Sequence, residues 1–464
     1  MRQLLHIATL LCLLFAASGL SQGLPPGELT FDEYLGYVKK YHPLVKQANL
    51  EVNKAQAGLM AARGAFDPKL EVDFDKKQFK DKEYYSLLNS SFKIPTWYGI
   101  EVKAAFDNSE GLYVNPQNVT PNSGLTSLGV SVPVGQGLFI NQRMADLRSA
   151  RLQVQLSQAA RKLQAAEVLY NASVAYFNWK KAFDEATLYN SYLAAARERY
   201  KGVSGLIALG DKPAIDSVET GITVRNRELG LLDANLKLAK AKLEMENFLW
   251  IENVPVALAD GIIPEKELQS SLQETLKTNS LSATPANDDH PKLQSLQNKL
   301  AILEVERRLK ANMLLPKLNL SYNYLSEPSY IDNYRFEDYK IGLNFSFPLF
   351  LRKERGALAL SKFKLQDTQY ELDFERIRLN NKIRAQQTEI ESLQKQQLVI
   401  NRLVADYTTM VKSEERLFSF GESSVFLINS RENSLISAML QQIANQNRFF
   451  ISNAELFRTM ANPD

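Results

Sequence analysis

Histidine and cysteine are nearly missing from this chain: three His and one Cys in 464 residues. The single cysteine, Cys12, sits in an apolar run from Ile7 to Ala17 that follows Arg2 and leads into Ser18, Gly19 and Ser21. Charged, apolar and small residues in that order are expected of a secretory signal peptide, residues 1–23, cleaved between Ser18 and Gly23. A buried N-terminal helix is the alternative, but a run this short does not span a bilayer. No small residue precedes Cys12, which argues against lipid attachment there. Loss of the leader takes Cys12 and His6 with it. The mature chain then has no disulfide, thiol nucleophile or thiolate metal site.

Other absences narrow the field further. After the leader no stretch of 18 apolar residues occurs, so no transmembrane helix is expected, which leaves a β-barrel as the route into a membrane. The 55 basic and 52 acidic residues nearly cancel, to +3, and give no electrostatic case for nucleic acid. GxxxxGK[ST] does not occur, and the one GxSxG match, Gly19-Leu20-Ser21-Gln22-Gly23, falls in the leader. The two remaining histidines, His42 and His290, each stand before a proline at a helix start and read as turn residues. The carboxylates lie mostly on helical surfaces and converge nowhere. The expectation is therefore no enzyme, no cofactor and no metal.

What the sequence does contain is one plan written twice. His42-Pro43 and His290-Pro291 are each followed, 25 residues after the proline, by Pro68-Lys69-Leu70 and Pro316-Lys317-Leu318. Helical stretches, Leu44 to Asp67 and Lys292 to Leu315, fill the intervals. Alternating segments follow, ending at Val130-Ser131-Val132-Pro133-Val134 and Phe345-Ser346-Phe347-Pro348-Leu349. Each half closes with long helical tracts interrupted at a glycine, Gly210 or Gly421. A period above 200 residues excludes a short-repeat solenoid. The expected divisions are a first repeat at 24–251, an irregular segment at 252–289 containing a polar linker from Thr278, and a second repeat at 290–464.

The two kinds of segment have different periods. Asn141 to about Tyr200 reads as helix, broken by Gly202, Gly205, Gly210 and Pro213, and Ile215 to Trp250 as a second helix. Glu354 to Phe418 and Ser424 to Met460 are their counterparts. About 60 residues at 1.5 Å each make about 90 Å, far beyond a globular helix, and such a helix needs a continuous partner. Leu358, Leu365, Leu372 and Leu379 supply one seven-spaced row and Phe363, Tyr370 and Ile377 a second, as in a coiled coil. The tips of the resulting hairpins fall near 202–213 and 419–424.

The strands, about 69–134 and 317–349, alternate apolar with polar or small residues: Leu70, Val72, Phe74; Ile100, Val102, Ala104, Phe106; Leu128, Val130, Val132; Leu318, Leu320, Tyr322; Ile341, Leu343, Phe345. A half-buried sheet in a soluble sandwich gives the same pattern. Aromatics at the ends and loops, Tyr84, Tyr85, Trp97, Tyr98, Tyr330, Tyr334, Phe336 and Tyr339, favour a membrane barrel with girdles. From Pro68 to Pro133 is 65 residues but from Pro316 to Pro348 only 32. The extra length is either a second hairpin, about Tyr84 to Asn108 joined at Pro95-Thr96-Trp97-Tyr98-Gly99, or a long external loop.

Signal peptide, duplicated halves, glycine-centred hairpins and amphipathic strands together resemble the TolC family of outer-membrane channels of Gram-negative bacteria. Val132-Pro133-Val134-Gly135-Gln136-Gly137 running into Asn141-Gln142-Arg143 is similar to that family's strand-to-helix junction. The resemblance spans about Leu29 to Met460. It implies an α+β membrane protein, a trimeric β-barrel continued by a long periplasmic α-helical coiled-coil tunnel, with two internal repeats. Geometry points the same way, since four or six strands are too few for a barrel of the usual minimum of about eight, whereas three copies give twelve or eighteen.

The resemblance also implies function: a passive exit duct in the outer membrane, joined by a periplasmic adaptor (membrane fusion) protein to an inner-membrane pump of RND or ABC type. A type I protein secretion duct of the same fold is the alternative, and a periplasmic coiled-coil scaffold without a pore is a third. By resemblance the tips Leu209-Gly210 and Phe420-Gly421 dock the adaptor. Acidic residues six and nine places after the tip glycine constrict the pore in the family; here those places hold Asp216 and Glu219 in the first half, Leu427 and Ser430 in the second. Leu427 either closes the pore by dewetting or packs in the helical seam. Outer-membrane lipid and two further copies of the chain complete the expected partners.

Overall fold

The computed structural model describes residues 27–259, 261–276, 288–330 and 335–461. The leader, Cys12, His6, Tyr334 and most of the polar stretch after Thr278 lie outside these. The described elements, in chain order, are β1 (Glu28–Leu29), α1 (Phe31–Tyr41), α2 (Pro43–Gly64), β2 (Lys69–Phe79), β3 (Lys82–Pro95), β4 (Glu101–Glu110), β5 (Leu125–Pro133), α3 (Gln142–Ala208) and α4 (Ile215–Glu246). Then come the two-residue strands β6 (Trp250–Ile251), β7 (Val254–Pro255) and β8 (Ile263–Pro264), followed by α5 (Leu268–Thr275), α6 (Pro291–Asn312), β9 (Lys317–Ser326), β10 (Tyr339–Ser346), α7 (Arg352–Ser419) and α8 (Val425–Met460).

The chain forms two compact units that cut across the repeats. One takes the described residues up to Asn49, then Lys162–His290 and Ile377 onward; the other takes Leu50–Arg161 and Pro291–Arg376.

The second unit is built on one antiparallel sheet of six strands in the order β10-β9-β5-β4-β3-β2. The extra length of the first repeat is therefore a hairpin and not an external loop. Thr96 N–H bonds back to Ile100 O at 2.8 Å to join β3 to β4, and Gly99 turns there with φ +76°. The β2–β3 turn is made by Lys80 and Asp81, both with positive φ. Two consecutive left-handed residues form the tight turn that matches strand twist, without the usual glycine or asparagine.

Prolines open α2 and α6, where a missing N–H costs nothing and the fixed φ suits a first helical turn. The histidines before them are held in place. His42 accepts from the Leu44 N–H at 3.3 Å and lies 5.4 Å from the Phe248 ring, and burial lowers its pKa. His290 Nε2 is 2.7 Å from Thr459 O. At the other end of the sheet's connections, Asn141 caps α3: its side-chain oxygen accepts from Met144 N–H at 2.9 Å, and its amide donates to Trp97 O at 3.0 Å. Gln136 N–H bonds to Pro316 O at 2.9 Å and Gly137 N–H to Asn312 Oδ1 at 2.8 Å, tying the junctions of the two repeats together.

The first unit has the largest apolar core. Phe31, Tyr34, Leu35 and Val38 of α1 pack on Tyr176, Phe177 and Trp179 of α3, with Met245, Leu249, Leu268 and Leu272 completing the shell. The buried phenols find partners: Tyr34 donates to Ala172 O at 3.3 Å, Tyr176 to Leu29 O at 2.6 Å. The stretch after Glu252 is less irregular than its glycine and prolines suggest, since β8 pairs with β1 and α5 joins the core.

Gly202 and Gly205 do not break α3, which runs through both to Ala208. A glycine inside a helix costs about 1 kcal/mol, too little to stop one of this length. On α7, Leu372 and Leu379 are buried, as the first seven-spaced row requires. The second row, Phe363, Tyr370 and Ile377, is exposed within the chain.

Candidate functional site

The six-stranded sheet has one face of each kind. The register row Leu70–Phe92–Ala104–Leu128–Tyr324–Tyr339 runs through all six strands on one side, and the next rows add Val72, Val130, Tyr322 and Ile341. Most of these side chains are exposed, Leu70 at 72% and Leu343 at 67%. The opposite face carries Glu71, Asp73, Lys93, Lys103, Ser131, Asn319, Ser321 and Asn344. Aromatics crowd both ends. Tyr84 stacks on Tyr113 at 4.9 Å near the β2–β3 turn, and Tyr330 and Phe336 are exposed in the connection from β9 to β10. Trp97 stacks on Phe66 at 5.6 Å at the helix end, with Arg148 at 5.5 Å from its ring. An exposed apolar band between two aromatic belts is the pattern that the outer surface of a membrane barrel presents.

The hairpin tips are two copies of one motif. Gly210 N–H bonds to Ile207 O at 3.0 Å and Asp211 N–H to Leu206 O at 2.9 Å; Gly421 and Glu422 bond to Phe418 and Leu417 O, both at 3.0 Å. This paired closure needs a residue in the left-handed region, which the glycines supply at φ +84° and +79°. The residue before each glycine projects an apolar side chain, Leu209 at 77% exposure and Phe420 at 67%. Lys212 Nζ lies 4.8 Å from the Phe418 ring, so the two tips are neighbours.

Of the four residues six and nine places beyond the tips, Asp216 and Glu219 are half-buried, Glu219 accepting from Asn429 Nδ2 at 3.4 Å. Leu427 and Ser430 are exposed within the chain, while Val425 and Ile428 beside them are buried. Behind this level lies a cluster that sequence reading did not find. The Glu432 carboxylate, 2% exposed, accepts from Arg199 of α3 at 3.1 Å and from Arg227 of α4 at 3.3 Å. Arg199 also reaches Glu415 of α7 at 3.5 Å, and Arg227 bonds Asn433 at 2.6 Å. One buried carboxylate on α8 thus joins all four long helices.

The helix α4 carries two opposed seven-spaced rows. Thr220, Arg227, Ala234 and Ala241 are buried against the chain, while Ile215, Ile222, Leu229, Leu236 and Leu243 are exposed. A second apolar row of this length is what a helix uses to pack on another helix. Among the described residues no helix is long and apolar enough to cross a membrane, and no cluster of three His, Cys, Asp or Glu could hold a metal.

Residues 285–462 match the family described as outer membrane efflux protein. The match covers the second of the two repeats. Solved structures share the fold over nearly the whole chain. The CmeC outer membrane channel of Campylobacter jejuni is similar with a TM-score of 0.65 at 13% identity, covering 93% of this chain and 85% of that one. The MtrE outer membrane channel of Neisseria gonorrhoeae gives 0.64 at 12%, covering 93% and 88%. The outer membrane protein VceC of Vibrio cholerae gives 0.63 at 12%, covering 93% and 95%. At such identities the likeness is one of fold, the TolC-like channel fold. No curated protein matches this sequence significantly.

Proposed function

We propose that the chain is the outer-membrane channel of a tripartite efflux system, a passive exit duct with a large periplasmic portion in a Gram-negative bacterium. The observation that carries this reading is the exposed apolar face of the six-stranded sheet, bounded at both ends by aromatics. In water that face is a liability; in lipid it is required, and lipid also forbids the free strand edges of a single copy. Three copies close the barrel, and the exposed row on α4 supplies helix contacts between them. The twin tips, Leu209-Gly210 and Phe420-Gly421, dock a periplasmic adaptor that couples the duct to an inner-membrane pump. Asp216, Glu219, Leu427 and Ser430 lie just inside these tips, where the pore narrows.

Two measurements test this. Purified protein should be trimeric, heat-modifiable in gel mobility and conducting in planar bilayers; a water-soluble, inert monomer refutes the reading. Gly421→Trp should weaken adaptor binding while the trimer still inserts: no atom lies within 4 Å of the position a Cβ would take, and the strain of a side chain at φ +79° is confined to this exposed turn. Failure of that variant to insert assigns Gly421 to folding instead. Whether the partner pump is of RND or ABC type is decided by the neighbouring genes.

A further inference from the structure

We propose that Arg352, Lys353 and Arg355, together with Leu349 and Phe350 just before them, bind the headgroup of an anionic phospholipid at the periplasmic edge of the membrane band. This rests on the channel reading above and adds to it a lipid partner of stated charge.

The apolar side chains of β10, Tyr339, Ile341, Leu343 and Phe345, are all more than half exposed, and the exposed apolar surface does not stop with the strand. Leu349 follows at 85% and Phe350 at 72%. The next residues are the first turn of α7, Arg352-Lys353-Glu354-Arg355, in which the three basic residues are exposed and Glu354 is half-buried. The apolar and basic parts form one surface, since the Arg352 guanidinium lies 5.3 Å from the centre of the Phe350 ring. Trp97 and Tyr98, in the connection from β3 to β4, stand at this same end of the sheet. Aromatics of that kind sit at the level of lipid headgroups.

The three cations have no counterpart inside the chain. None has an ion-pair partner among the described residues. Arg352 and Arg355 are three apart on one helix, a spacing at which like charges face each other and repel. The equivalent junction of the first repeat carries no such surplus, because Arg143 of α3 is 2.6 Å from Glu101. An unpaired basic cluster at the edge of a membrane-facing surface attracts anionic lipid. A free anion would meet the cations but leave Leu349 and Phe350 in water. A zwitterionic lipid would cover the apolar side chains and leave the net charge unmatched. An anionic phospholipid answers both, and the unbroken run of exposed apolar residues from β10 leads its acyl chains into the lipid band.

Each basic residue beside an anionic membrane surface contributes about fivefold in affinity, so three amount to about a hundredfold. The test is native mass spectrometry of the full chain, stripped of lipid in detergent and titrated with phosphatidylglycerol, phosphatidylcholine or inorganic phosphate. Phosphatidylglycerol should bind about a hundredfold more tightly than phosphatidylcholine, with phosphate not retained. Arg352→Gln combined with Lys353→Gln and Arg355→Gln should bring phosphatidylglycerol down to the level of phosphatidylcholine, while the trimer and its conductance in planar bilayers persist. Equal binding of the two lipids by the parent protein, or unchanged preference in the triple variant, overturns the proposal. Phosphate binding as tight as that of the lipid overturns it in favour of a free-anion site. Loss of the trimer in the variant overturns it in favour of a contact between copies. A parent protein that is monomeric or does not conduct fails the channel reading itself.

Discussion

Neutralising Glu432 is the sharpest way to probe how the four long helices are held together. Glu432→Gln keeps the shape and leaves two guanidiniums, 3.1 and 3.3 Å from the former carboxylate, facing an amide. Arg227 is buried, and its Nε has no partner to compensate. Breaking a buried pair costs about 3–5 kcal/mol because a charge is stranded away from water. Arg199 retains Glu415, itself half exposed, which places the expected cost near the low end, about 3 kcal/mol. At about 1.4 kcal/mol per tenfold, local opening becomes about a hundredfold more frequent. Amide exchange, read by mass spectrometry on the assembled protein, should speed up by that factor in peptides around Arg199, Arg227 and Glu432, while the sheet is unchanged. Combining Arg227→Met with Glu432→Gln should cost less than the two single changes summed, by about 1–3 kcal/mol. Exchange within threefold of the parent protein in Glu432→Gln would refute the claim that this carboxylate clamps the helices.

Three further outcomes are expected. Gly135→Ala puts a Cβ 2.3 Å from Pro316 O, a backbone atom that cannot yield, and should cost about 1–3 kcal/mol by overpacking; Gly58→Ala, with nothing within 4 Å, should be neutral or slightly stabilising in the same denaturation assay. Leu372→Pro breaks α7 at a buried seam position and should cost more than about 3 kcal/mol, seen as loss of assembled trimer; normal assembly and transport would refute the seam register. Arg307, with Arg308, holds the Glu304 carboxyl down to about 2. A depressed carboxylate contributes stability above its unfolded value and loses it as pH falls through the folded one. Stability lost by Glu304→Gln should thus be small, present at pH 6, and vanish near pH 2, which denaturation midpoints across that range would check.

Features written into neighbouring residues were legible in the sequence. Proline at a first helical turn marked the starts of α2 and α6, and glycine after a long helix marked both tips, because each solves a backbone problem at one position. Alternation located five of the six strands from their apolar members. The end of β2 and start of β3 were obscured by charges, Lys76, Lys77, Lys80, Asp81, Lys82 and Glu83, at a turn without glycine. The helix α1 was overlooked although Thr30 and Glu33 stand at capping spacing and the Thr30 hydroxyl accepts from Glu33 N–H at 3.3 Å. The Glu432 cluster was invisible for a different reason. Its arginines lie more than 200 residues away in sequence, and each of the three charges resembles an ordinary solvated helix charge until the hairpins are packed.

The hairpin tips and the strands obey different symmetries. Both repeats close their long helices with the same bonded turn, so a trimer presents six nearly equivalent tips, and a partner could grip them with sixfold repetition. The repeats supply four strands and two, respectively, so a barrel closed from three copies would have no symmetry higher than threefold. A duct of this kind would have to present surfaces of different rotational order to its adaptor and to the lipid.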